Sequence, residues 1–184
     1  MTSAATEGFW ALADQAAVSL GMFACNILLA RVLSAQEYGI YGILLGVMLA
    51  LNTIHAALVS YPLALTAAGI DRASFRHSTG AALSVNLLLG LPFGGALLAA
   101  AALLGRPRLA LWCFVALLLW QGQETLRRSL MAQMRHREAV LGDAVSYLGQ
   151  AAVIWMAAAR GGIRLETVFG VMAATSALAM ALAA

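Results

Sequence analysis

The residues in this chain with the most chemical potential are polar side chains set inside long apolar runs. Asp14, Gln15, Ser19 and Asn26 interrupt the first run, Asn52 and His55 the second, and Asp143, Tyr147 and Gln150 the fifth. A charge or amide at membrane depth is costly and usually faces a partner helix or a wet cavity. Gln15, Ser19, Met22 and Asn26 fall at helical spacing and share one face, with Asp14, Gly21 and Cys25 on the adjoining face. Asn52 and His55 share a stripe with Tyr41, Met48 and Val59. Asp143, Ser146, Tyr147 and Gln150 recur at i, i+3, i+4 and i+7, a third polar face. These amides and hydroxyls suit the lining of a polar cavity, or hydrogen bonding between helices. Asp14 suits a paired or ion-binding carboxylate, and Asp143, close to a helix start, also favours the helix dipole. His55 suits a neutral hydrogen bonder or a proton carrier.

A second group is cationic. The stretch from Gln121 to Glu138 is the densest charged run and holds Glu124, Arg127, Arg128 and Arg135. Gln121, Glu124, Arg128 and Arg135 line one side of a helix, and Glu124 precedes Arg128 in the favourable i, i+4 order. Arg31 closes the first apolar run. Arginine presents paired donors that match phosphate, so Arg31, Glu124, Arg127, Arg128 and Arg135 form a candidate phosphate site or gate lip. The alternative is an interfacial helix extension whose arginines meet anionic headgroups. No nucleophile elbow, zinc-protease pair or phosphate-loop lysine occurs, so no enzyme activity is expected. Cys25 and Cys113 lie inside apolar segments without a metal-ligand spacing, so neither a disulfide, a metal nor any cofactor is expected.

These groups must be positioned by helices in lipid. A helix needs about 20 apolar residues to cross a bilayer, and the chain offers such segments at roughly 9–31, 39–68, 79–104, 109–125, 139–159 and 165–184. The predicted fold is an all-α polytopic membrane bundle of six transmembrane helices, filling 1–184 as one lobe. Ser34 and Glu37 form a capping-box pattern at the start of the second helix. Pro62 predicts a kink. A polar loop is expected around 71–78. Gly90, Pro92, Gly94 and Gly95 predict bending or local unwinding of the third helix. The fourth helix is expected to continue as a polar helix to about 138.

Composition agrees with this reading. The chain is 62% hydrophobic and 10% charged, with mean hydropathy +0.87, far from the balance of a water-soluble domain. All eleven cationic residues are arginine. The net charge of +3 fits arginines near headgroups, and no basic surface interleaved with aromatics points to nucleic acid. The N-terminus lacks a basic residue before the first apolar run, so that run is expected to stay in the mature protein. Arginines number six on the N-terminal side and five on the other. The dense run at 127–137 tips the expected orientation toward a cytoplasmic N-terminus. Apolar sequence is still running at Ala183-Ala184, either the bare end of a six-helix bundle or the first half of something longer; the second is preferred.

Three stretches carry a family resemblance. Ala13-Asp14-Gln15-Ala16, the turn Leu29-Ala30-Arg31-Val32-Leu33-Ser34-Ala35-Gln36-Glu37-Tyr38-Gly39-Ile40-Tyr41, and Ser60-Tyr61-Pro62-Leu63 resemble the N-terminus of polysaccharide and O-antigen flippases. These belong to the multidrug/oligosaccharidyl-lipid/polysaccharide exporter superfamily. The turn is the most specific part. Gln123 to Ala132 and Asp143 resemble the same family's connection between its fourth and fifth helices. The resemblance implies two six-helix lobes about a central cavity that move lipid-linked saccharides between leaflets of the bacterial cytoplasmic membrane by alternating access. This chain would be the N-terminal lobe, and it departs from the family in lacking the second.

The leading expectation is therefore a lipid-linked oligosaccharide flippase, with amides serving the sugar and arginines the diphosphate. Its partners would be the bilayer, the lipid-linked saccharide, and a polysaccharide polymerase or glycosyltransferases. Two alternatives stand beside it: a cation-coupled multidrug exporter using Asp14, and a non-transporting scaffold for glycan assembly.

Overall fold

The structure is a computed structural model that describes residues 4–67 and 72–183, and the described residues are almost entirely helical. The helices are α1 (Ala4–Val32), α2 (Ala35–His55), α3 (Tyr61–Ala67), α4 (Arg72–Leu103), α5 (Leu109–Ala132), α6 (His136–Asp143), α7 (Gly149–Ala159) and α8 (Leu165–Ala183). Two π-helical turns, Ala56–Ser60 and Ala144–Leu148, join α2 to α3 and α6 to α7. Six spans result, each long and apolar enough to cross a membrane: Gly8–Val32, Ala35–Leu65, His77–Leu103, Leu109–Ala132, His136–Ala159 and Leu165–Ala183. The protein is an all-α bundle with the character of an integral membrane protein.

The fourth span is the axis. α5 packs most extensively on α8 and then on α4, and it also meets α2, α3 and α6. It is the most enclosed span, with 61% of its apolar window buried against 28–44% for the others. Leu109, Cys113, Leu117 and Trp120 run down its buried side against Phe169 and Met172 of α8 and Phe93 and Leu97 of α4. α1 lies instead along the fifth span, against α6, the second π turn and α7. α1 and α2 are linked only by Leu33 and Ser34, yet they barely touch.

Several local expectations are corrected. Ser34 accepts from the Glu37 backbone N–H at 3.2 Å, giving the serine half of the capping box. The Glu37 carboxylate turns away to Arg106 at 2.9 Å, where a full charge is available. At Pro62 the chain widens into the π turn, and the Tyr61 N–H bonds the Ala56 carbonyl five residues back. Proline lacks an N–H and crowds the preceding turn, and a wider turn relieves both. α4 runs unbroken through Pro92 rather than unwinding. Its glycines serve packing: a Cβ at Gly90 would lie 2.9 Å from Leu118, and one at Gly94 3.1 Å from Phe114. α4 also begins at Arg72, so most of the expected 71–78 loop is helix, while Asp71 lies outside the described residues.

The expected helix to 138 breaks at 133–135. Arg135 N–H reaches the Leu130 carbonyl at 2.9 Å, Met134 N–H reaches Met131 at 3.0 Å, and Met134 has φ +59°. That pair of bonds around a left-handed residue is a Schellman stop.

Candidate functional site

Arg127 organises the polar interior. Its Nη2 donates to Asp14 Oδ2 on α1 at 2.6 Å. Its Nη1 donates to both Glu124 oxygens, at 3.3 and 3.1 Å. Its Nε stands 2.5 Å from Asp143 Oδ2, an ion contact without the alignment of a hydrogen bond. The Asp14 and Asp143 side chains are almost wholly buried, and that of Arg127 is 17% exposed. One guanidinium thus ties α1, α5 and α6, although α1 packs chiefly on the fifth span rather than on α5. Arg127 and Asp14 each lie about 7–9 Å inside their span ends at 1.5 Å per residue, and Asp143 about 10 Å. This is the face shared by the N-terminus and the 133–135 turn.

The network continues outward. Arg128 Nε donates to Glu124 Oε1 at 2.6 Å, and its guanidinium sits 4.7 Å over the Tyr61 ring. Gln123 donates to Asp143 Oδ1 at 3.2 Å and accepts from Ser146 Oγ at 2.8 Å. Trp120 Nε1 donates to the Tyr147 hydroxyl at 3.0 Å. The second π turn presents Ser146 and Tyr147 to α5. Ser146 belongs to the polar face that helical spacing marks out with Asp143, Tyr147 and Gln150, whereas Gln123 and Trp120 are additions, Gln123 signalled by its place in the densest charged run. Three carboxylates (Asp14, Glu124, Asp143) face two guanidiniums (Arg127, Arg128), and Asp14 Oδ1 is buried without a partner.

The other candidates separate. Gln15 and Ser19 are exposed and bond to each other at 3.3 Å. Asn26, Tyr147 and Gln150 meet at a narrow cleft between α1 and α2. Tyr41 and Leu45 form its α2 wall, and Trp120 and Met172 its floor. Among the second-span candidates, Asn52 is half-buried with Oδ1 unpartnered, and His55 is fully buried with both ring nitrogens unpartnered. Gln121 is equally buried, with neither end of its amide bonded.

The arginines do not form one phosphate cradle. Arg127 and Arg128 are held by carboxylates, Arg135 pairs with Glu138, and Arg31 is exposed at the far end of α1. On that far face Glu37, Arg106, Arg164 and Glu166 border a separate polar pocket. Among the described residues no group of three or more His, Cys, Asp or Glu side chains is arranged to hold a metal. Comparison with protein-family models, curated proteins and solved structures yields no match.

Proposed function

We propose that this protein is a transport lobe for lipid-linked saccharide in a bacterial cytoplasmic membrane, with its N-terminus on the cytoplasmic side. The observation that carries this reading is the buried Arg127 hub, a guanidinium bound to carboxylates from three elements within the apolar bundle. A bundle needing only to fold in lipid gains little from such a cluster, since buried ion pairs roughly offset their own desolvation. A carrier gains an exchangeable set of contacts. A diphosphate reaching Arg127 and Arg128 would replace carboxylates as their acceptors, and releasing Asp14 would free α1 from α5. Ligand-dependent exchange of this kind supplies the differential affinity that moves a carrier between states. The family resemblance of the α1–α2 turn supports the same cargo.

Deleting the protein from its source cell should abolish export of a surface polysaccharide, and Arg127→Met should reproduce the loss. Unchanged surface glycan in the deletion strain would overturn the proposal. Fusion reporters at the 133–135 turn test the orientation, and an external signal there reverses it.

A second reading, cation-coupled export, is favoured by the excess of one carboxylate over guanidiniums and by the unpartnered Asp14 Oδ1. Efflux that depends on pH or sodium and is lost in Asp14→Asn, with glycan export intact, would select it.

A further inference from the structure

We infer that the cleft between α1 and α2 is a binding site for the hydrocarbon chain of a membrane lipid, entered sideways from the bilayer. The inference rests on the cleft itself and stands whatever headgroup the protein carries.

Depth is the first argument. Tyr41 lies about 9 Å from the start of α2, Met22 and Leu45 about 15 Å from the ends of their helices, and Trp120 about 16 Å from the start of α5, at 1.5 Å per residue. The cleft therefore occupies the middle of a hydrocarbon layer of about 30 Å. Access is the second. α1 and α2 barely touch beyond their short link, so contact between these two helices does not close that side of the cleft.

Chemistry is the third. No charged side chain lines the cleft. Its strongest donors are already satisfied within the protein: the Asn26 amide bonds the Met22 carbonyl at 3.0 Å, and the Trp120 indole bonds Tyr147. The Tyr41 hydroxyl and the Gln150 amide remain, on walls otherwise made by Met22, Cys25, Leu45 and Met172. A saccharide would bring many hydroxyls to a wall with few partners for them, and each left unpaired is unfavourable. A flexible chain meets soft, adaptable methionines and an indole face instead.

Trp120 reports on the site. Variants retaining Trp120 alone, or Trp155 alone as a lipid-facing reference that is 61% exposed, would have their other tryptophans replaced by phenylalanine. They would be reconstituted in phosphatidylcholine with brominated acyl chains. Trp120 is only 6% exposed, yet its fluorescence should be lost to the brominated chains as Trp155 fluorescence is, while iodide in the water leaves it unchanged. Quenching by iodide, or by neither agent, would overturn the inference. Should the tryptophan replacements prevent folding, the native cysteines give the same answer. Cys25 lines the cleft and Cys113 is fully buried. An acyl-linked maleimide in the bilayer should label Cys25 and spare Cys113. Labelling of Cys25 only by a water-soluble sulfonated maleimide, or by neither reagent, would count against a lipid chain.

Discussion

Asp14 and Arg127 are 113 residues apart in the chain and 2.6 Å apart in the fold. Arg127 uses a different nitrogen for each carboxylate: Nη2 for Asp14, Nη1 for Glu124 and Nε for Asp143. Lysine has one nitrogen on a flexible stem and cannot hold three acceptors in those directions. Arg127→Met leaves buried carboxylates without their cation and should destabilise the bundle by about 3–5 kcal/mol. Arg127→Lys should recover only part of that. Asp14→Asn should be milder, because Glu124 and Asp143 still hold Arg127. Thermal unfolding in detergent, read by a thiol-reactive dye at the fully buried Cys113 in a Cys25→Ala background, ranks the three. Equal stability of Arg127→Lys and wild type would remove the hub from the account.

Gly21 sets how closely α1 can approach the fifth span. A Cβ there would sit 2.6 Å from Tyr147 Cβ and 2.7 Å from its carbonyl carbon, and a backbone atom cannot step aside. Gly21→Ala must therefore push α1 away from the second π turn, with a cost on the order of 1–3 kcal/mol. Asp14 is two turns along the same face, so the displacement also strains its pair with Arg127. Gly122 is the control. A Cβ there crowds the flexible far end of Met180, at 2.8 Å, and meets Leu83 at an ordinary 3.8 Å, and alanine gains about 1 kcal/mol of helix propensity. Gly122→Ala should be near neutral in the same unfolding assay, and a larger loss there than at Gly21 would contradict the packing.

Two buried residues, His55 on α2 and Gln121 on α5, carry the opposite expectation. Gln121 and His55 are fully buried with every side-chain polar atom unbonded. Such groups are desolvated without compensation, at about 1–3 kcal/mol each. Gln121→Met and His55→Leu replace them with apolar groups of similar size and should raise the unfolding temperature. Stabilised variants that also lose polysaccharide export would mark the two residues as kept for transport rather than for folding. A fall in stability would mean that they have partners after all.

The six spans were legible because the hydrocarbon layer selects length and apolarity, and both are local properties of the sequence. Helical spacing also separated the Asp143, Ser146, Tyr147 and Gln150 face from its surroundings. It could not say that Asp14 would meet Arg127 rather than follow Gln15 and Ser19 to the surface, since one residue of rotation is about 100° and the partner lies on another span. Pairing of spans was equally hidden. α1 packs on the fifth span, where Gly21 admits Tyr147, and a cleft opens between α1 and α2 although two residues link them. Glycine and proline in the third span suggested bending or local unwinding; α4 does not unwind, and Gly90 and Gly94 admit Leu118 and Phe114. In each case the deciding fact was the shape of a distant surface.

The stop after α5 offers a test independent of the buried charges. Met134 holds φ +59°, a left-handed conformation that crowds any Cβ and costs a non-glycine residue about 1–2 kcal/mol. The position is fixed by the Arg135 and Met134 N–H bonds to Leu130 and Met131. The Met134 side chain is 59% exposed, so removing it forfeits little packing. Glycine adopts this backbone freely but gives the unfolded chain more freedom to lose. The relief exceeds that cost, and Met134→Gly should stabilise by about 0.5–1 kcal/mol. Met134→Val, β-branched at the same φ, should destabilise by more than that. If valine and glycine gave the same unfolding temperature, α5 would not end in this turn, and the expected continuous helix to Glu138 would be restored.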